Sequence, residues 1–118
     1  PAQSNETNLH FFLDSGAGLW EYTPTRPLQP NGTAWLDMWT DTIVKGFPAS
    51  TFKAKLAEDD PYVWLGESYN LATNFSYSVP YDGKLSDSYV QQSRSMCQSQ
   101  VALGGYRLAK ILTTIFGA

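Results

Sequence analysis

After Pro80 the chain runs to its end without another proline, and Val90, Cys97, Val101, Leu108, Ile111, Leu112 and Ile115 recur along it at helical steps. Apolar residues spaced this way share one face of a helix. The pattern predicts a single helix from about Ser86 to Phe116, the longest element of the chain. Gly104 and Gly105 interrupt its apolar side. Each costs a helix interior roughly 1 kcal/mol against Ala. The expected return is close approach of another backbone at that point; the plainer alternative is a mild kink. No stretch of the sequence alternates apolar and polar residues at any length, so the fold class is all-α.

Shorter helices precede it. Trp35, Met38, Trp39, Thr42, Ile43 and Phe47 mark an apolar face on a helix expected over Thr33 to Gly46, with Thr33 capping its start and Gly46 its end. Ser50 to Ala57 reads as a short helix. Asp60-Pro61 signals another start, because Asp caps and Pro sits where no N–H is needed. That helix is expected from about Tyr62 to Tyr77, with Pro80 ending it and Tyr81 to Lys84 forming a turn. At the other end, Asn8 to Asp14 is apolar-rich, with Thr7 or Asn8 available as a cap. Gly16 and Gly18 break it. From Trp20 to Gly32 the chain carries Pro24, Pro27 and Pro30, each removing a backbone donor. An extended surface loop follows from that.

At 118 residues this is one domain's worth at most. Net charge is −3, with eight Lys and Arg against eleven Asp and Glu. Such a surface offers no broad electrostatic grip on a phosphate backbone. If nucleic acid is a substrate, something other than a basic patch must hold it, and a metal cluster can. No apolar run is long enough to span a membrane. The single cysteine, Cys97, builds no disulfide framework. It is either a free buried thiol or the partner of a cysteine on a segment not present. Asn5-Glu6-Thr7, Asn31-Gly32-Thr33 and Asn74-Phe75-Ser76 fit the N-glycosylation pattern. Asn5, Asn31 and Asn74 are therefore candidate glycan sites, and three such sites in a short chain point to a secreted or secretory-pathway protein.

Metal-ligand candidates are few. His10 is the only histidine, and Asp14 lies four residues later. On a helix that spacing puts both side chains on one face, about 5–6 Å apart at Cβ. Imidazole and carboxylate so placed can chelate one zinc, but a catalytic zinc takes three protein ligands and a water. A lone histidine on a short apolar helix is otherwise a structural residue.

The surrounding residues sharpen that pair. Thr7-Asn8-Leu9-His10-Phe11-Phe12-Leu13-Asp14-Ser15 resembles the TNLHxxWD segment of the zinc-dependent single-strand nucleases, the S-one/P-one type, also called class I nucleases or 3′-nucleotidases. Gln100 to Ala109, reading QVALGGYRLA, is similar to the closing helix of that family. Trp39 to Leu56 and Glu67 to Ala72 resemble the middle of its C-terminal half. The resemblance thus runs in order along nearly the whole chain.

It implies a helical fold, the C-terminal half of the phospholipase C/nuclease-type tri-zinc fold, with residues 1–118 as one partial domain. It implies three clustered zinc ions, one of them contacted by His10 and Asp14. The implied activity is hydrolysis of phosphodiester bonds in single-stranded DNA or RNA, and removal of 3′-phosphates from nucleotides. Clustered zincs can generate hydroxide and neutralise charge developing on phosphate. The family's catalytic residues and its other zinc ligands lie upstream of the His10 motif. This chain is therefore expected to need an N-terminal part of the same precursor for activity.

Two positions depart from the family. Its Trp before the Asp is Leu13 here, a position expected to pack rather than to ligate. The cysteine usual in the helix matching Tyr62 to Tyr77 is absent, and Cys97 lies outside the pattern, so the family's disulfide does not transfer. Two alternative readings remain: a zinc phospholipase C of the same fold, or a catalytically silent glycosylated extracellular relative kept for structure or binding.

Overall fold

A computed structural model describes residues 8–21, 24–81 and 83–117. Among these residues every regular element is helical, as the apolar spacing predicts. Helix α1 is Leu9–Asp14, α2 is Pro30–Gly46, α3 is Lys53–Ala57, α4 is Pro61–Leu71 and α5 is Asp87–Phe116. A 3-10 turn, Ala49–Phe52, leads into α3, and a π-helical turn, Ala72–Ser76, extends α4.

The 30-residue α5 organises the rest. Its Ser86 side chain caps the start by accepting from the Tyr89 N–H, and Gly117 ends it at φ +66°. Because α5 turns every 3.6 residues, different residues meet different neighbours. Ala102 and Leu103 pack with Ile43 of α2 and Phe52 of the 3-10 turn, bordered by Trp20, Phe47, Leu56 and Tyr106. The Tyr106 hydroxyl donates to the Phe47 carbonyl at 3.1 Å. Nearer the start of α5, Tyr89 joins Phe12 and Ala17 in a second cluster, bordered by Leu13, Phe75, Val79 and Val90. There the Tyr89 ring stacks on Phe75 and Phe12, with centroids 5.1 and 6.4 Å away. Its hydroxyl donates to the Ser76 carbonyl at 2.8 Å.

Helix α4 and its π-helical extension run antiparallel to α5. Glu67 and Trp64 meet Arg107, and further on Ser76 and Phe75 meet Tyr89. No residue of α4 itself is buried. Its attachment is polar and aromatic: the Arg107 guanidinium bonds Glu67 at 2.9 Å and lies 4.8 Å above the Trp64 ring. Just before α4, Lys110 holds α3 and the connection after it, donating to the Leu56 carbonyl at 2.9 Å and pairing with Asp59 at 2.6 Å.

Several local expectations change. Helix α2 starts three residues before Thr33, with Pro30 at its first position and Gln29 before it making no side-chain cap. Pro fits there because its missing N–H has no helical partner in the first turn. The Thr33 hydroxyl instead donates back to the Gln29 carbonyl at 3.5 Å. Gly46 is the last helical residue, and Phe47 follows as the cap. The Pro-rich loop is correspondingly shorter, so Asn31 lies in the first turn of α2 and not in a loop. Gly32 is buried, where a Cβ would press on Pro24 at 2.8 Å. Among the described residues Gly104 and Gly105 meet no backbone of another element: a Cβ at either would find nothing within 4 Å. The stripe on α5 is covered at Val90 and Cys97, but Val101, Leu108, Ile111, Leu112 and Ile115 are exposed.

Candidate metal centre

The first helix is short and fixed at both ends. Asn8 caps it, its Oδ1 accepting from the Phe11 N–H at 2.8 Å. Thr7, the other candidate cap, lies outside the described residues. Ser15 closes the helix: its hydroxyl donates to the Phe12 carbonyl at 2.8 Å and accepts from the Gly18 N–H at 3.2 Å. The chain then turns sharply, with Gly16, Ala17 and Gly18 all at positive φ. Glycine is needed at Gly16, where a Cβ would collide with the Trp20 ring.

Two bonds tie this turn to α5. Arg94 Nε donates to the Ala17 carbonyl at 3.1 Å, and the Cys97 thiol contacts the Leu13 carbonyl at 3.5 Å. Buried Phe12 and the partly buried Leu13 face the cluster around Tyr89. The opposite face of α1 is left to solvent, and His10 and Asp14 stand on it.

His10 Nε2 lies 3.1 Å from Asp14 Oδ2, and the two side chains are 86% and 67% exposed. Two ligands at about 2.0–2.1 Å on one tetrahedral zinc stand roughly 3.3–3.4 Å apart. The pair therefore already has nearly the spacing of a two-ligand bite, with its open side toward water. An i,i+4 ion pair has the same spacing, and exposed ones contribute little to stability, typically below about 1 kcal/mol. Among the described residues no group of three or more His, Cys, Asp or Glu converges. Among the described residues His10 and Asp14 are therefore a pair without a third such side chain beside them.

Among the described residues Cys97 does not join His10 and Asp14 in a group of three. It is a free, buried thiol. Burial pushes its pKa up, and the nearby Asp14 charge pushes it further. Its role is to hold the Leu13 turn against α5, as Arg94 holds Ala17. Periodicity marks Cys97 as apolar-facing but gives no sign of Arg94, whose bond spans 77 residues.

The candidate glycan sites divide. Asn31, in the first turn of α2, and Asn74, in the π-helical turn, are exposed; Asn5 lies outside the described residues.

The S1/P1 nuclease family model matches residues 2–117. The chain belongs to the S1/P1 nuclease family. The match takes in both end motifs and the helices between them, and it agrees with the all-helical fold. Membership of the S1/P1 nucleases carries a nuclease-type, hydrolytic function and a nucleic-acid substrate. As a family these enzymes are zinc-dependent. No curated protein and no solved structure gives a match to this S1/P1 nuclease chain. No helix among the described residues is long and apolar enough to cross a membrane.

Proposed function

We propose that this chain is the C-terminal part of a secreted zinc nuclease that hydrolyses phosphodiester bonds of single-stranded nucleic acid, and that His10 and Asp14 hold one of its zincs. The observation that carries the reading is the exposed His10–Asp14 pair, 3.1 Å apart, within the family match. Zinc at that pair would supply positive charge for water activation and for the phosphate. The chain's own contribution is positional. Asn8 and Ser15 fix the ends of α1, Phe12 and Leu13 anchor its inner face, and Arg94 and Cys97 fasten the following turn. His10 and Asp14 are thereby aimed outward in fixed register.

Two ligands fall short of the three protein ligands that a catalytic zinc takes. The reading therefore includes an N-terminal part of the same precursor, carrying the remaining ligands and the catalytic residues. It also includes secretion, supported by the exposure of Asn31 and Asn74, both acceptable to a bulky glycan.

Metal analysis and intact mass on the native material test this together with cleavage of single-stranded DNA. An accompanying N-terminal segment, close to three zincs per assembly and loss of one of them in His10→Ala support the proposal. A zinc content unchanged by both His10→Ala and Asp14→Asn would remove these residues from the metal site. A zinc-free, inactive glycoprotein would favour a structural or binding role instead.

A further inference from the structure

Arg94 is fastened beside the His10–Asp14 pair by one nitrogen only. Its Nε donates to the Ala17 carbonyl at 3.1 Å, and Ala17 follows Asp14 by three residues. That length of chain spans at most about 11 Å, so the guanidinium is held in the neighbourhood of the pair. Cys97, three residues further along α5, lies near enough to Asp14 for that charge to raise its thiol pKa. This stretch of α5 and the pair therefore stand side by side.

A single N–H suffices to hold a carbonyl, and a guanidinium has more to offer. Among the described residues neither Nη nitrogen of Arg94 has a hydrogen-bond partner or a carboxylate within ion-pair distance. Neither is shut off from water, unlike Arg107 Nε, which is buried without a partner. The later cations of α5 are matched, Arg107 by Glu67 and Lys110 by Asp59. Gly18 keeps the free edge of Arg94 open, since a Cβ there would stand 3.8 Å from Nη2. The Glu21 carboxylate lies over the same glycine and makes no ion pair with Arg94. The result is a positive group fixed at one end, with its donors turned to solvent.

With Nε held by Ala17, the remaining edge presents Nη1 and Nη2 together, the fork that takes two oxygens of one phosphate. We propose that Arg94 binds a phosphate of the single strand, next to the phosphate at the metal pair, through its two Nη nitrogens. This rests on the zinc-nuclease reading and adds a grip that composition does not supply. At a net charge of −3 no basic patch holds the backbone, whereas one fixed arginine can set the register of a strand. Arg94 is then a substrate-binding residue, and a substrate with a single phosphate engages the metal pair without it.

The test compares Arg94→Gln, which removes the charge, with the parent in the complete nuclease, upstream segment included. Binding of a short oligothymidylate is read by fluorescence anisotropy across a salt series, with zinc analysis of the same material. The variant should bind at least tenfold more weakly at low salt. Its plot of log K against log salt should lose about 0.7 of its slope, the share of one contact to a single strand. KM for the oligonucleotide should rise, while hydrolysis of a 3′-mononucleotide, which has no neighbouring phosphate, stays unchanged. Arg94→Lys keeps the charge and a donor for Ala17, so it controls for folding and should restore most of the slope. Equal losses on both substrates, or a fall in zinc content, would reduce Arg94 to a fastening of the turn and overturn the proposal. An unchanged salt slope overturns it as well. A zinc-free parent that still binds the oligonucleotide with an Arg94-dependent slope sinks the metal assignment and leaves the phosphate contact standing.

Discussion

Helix α4 gives the sharpest stability prediction, because it contributes no buried residue to the core. It is held to α5 chiefly at Arg107, whose Nη2 bonds Glu67 at 2.9 Å and the Lys55 carbonyl at 3.2 Å and whose guanidinium covers Trp64. The Arg107 and Glu67 side chains are only 11% and 21% exposed. Fully exposed pairs are worth about 0.2–1 kcal/mol, and breaking a fully buried one costs about 3–5 kcal/mol. This pair lies between, at roughly 1.5–2.5 kcal/mol, and the cation–π contact adds about 0.5–1 kcal/mol. Arg107 Nε is buried without a partner, which lowers the cost of removing the side chain. Arg107→Met, which keeps the aliphatic stem, should therefore cost about 2–3 kcal/mol, or a fall of roughly 10 °C in Tm. A double-mutant cycle with Glu67→Gln in urea should give a coupling of about 1–2 kcal/mol. Hydrogen exchange on Arg107→Met should show α4 amides losing protection before those of α5. A coupling below about 0.5 kcal/mol, with α4 protection unchanged, would refute the argument that this cluster holds the helix.

Other perturbations have distinct signatures. Leu103 is 1% exposed at the centre of its cluster, so Leu103→Ala should cost about 2–5 kcal/mol by chemical denaturation. Gly104→Ala should raise the stability of the chain by up to about 1 kcal/mol, since its Cβ enters open space; a lower Tm would mean that something in the chain already fills that space. Burial raises the pKa of both the Tyr89 phenol and the Cys97 thiol. The unfolded chain therefore releases these protons first as pH rises. Their contribution is complete below about pH 8.5 and declines above it. Urea midpoints should fall between pH 8 and pH 10 on this basis, and Cys97→Ala should flatten the first part of that fall.

Much of this architecture is legible in local residue order. Asp60-Pro61, Ser86 and Asn8 start helices where short-range chemistry says they should, because a cap needs only its own neighbours. The start of α2 is harder to place, since Pro30 suits a loop and a first helical turn equally well. The His10–Asp14 pair is visible as a spacing. Its fastening by Arg94 and Cys97 is not, because those bonds join residues 77 and 84 positions apart. The stripe on α5 is also visible, but periodicity records only which side of a helix is apolar. It does not distinguish a side already covered from one still open. Gly104 shows the difference: the expected close neighbour is absent among the described residues, and the space beside it is open.

The two core clusters sit on one helix without sharing a residue. Tyr89 belongs to one and Leu103 to the other, 14 residues apart and so about 21 Å along the axis. A disturbance at one end reaches the other through the helix itself, through the lightly held α4, and through the turn after α1, where Ala17 belongs to one cluster and Trp20 borders the other. The free chain should then behave as two loosely coupled melting units, and the end that carries His10 can open while the Leu103 end stays folded.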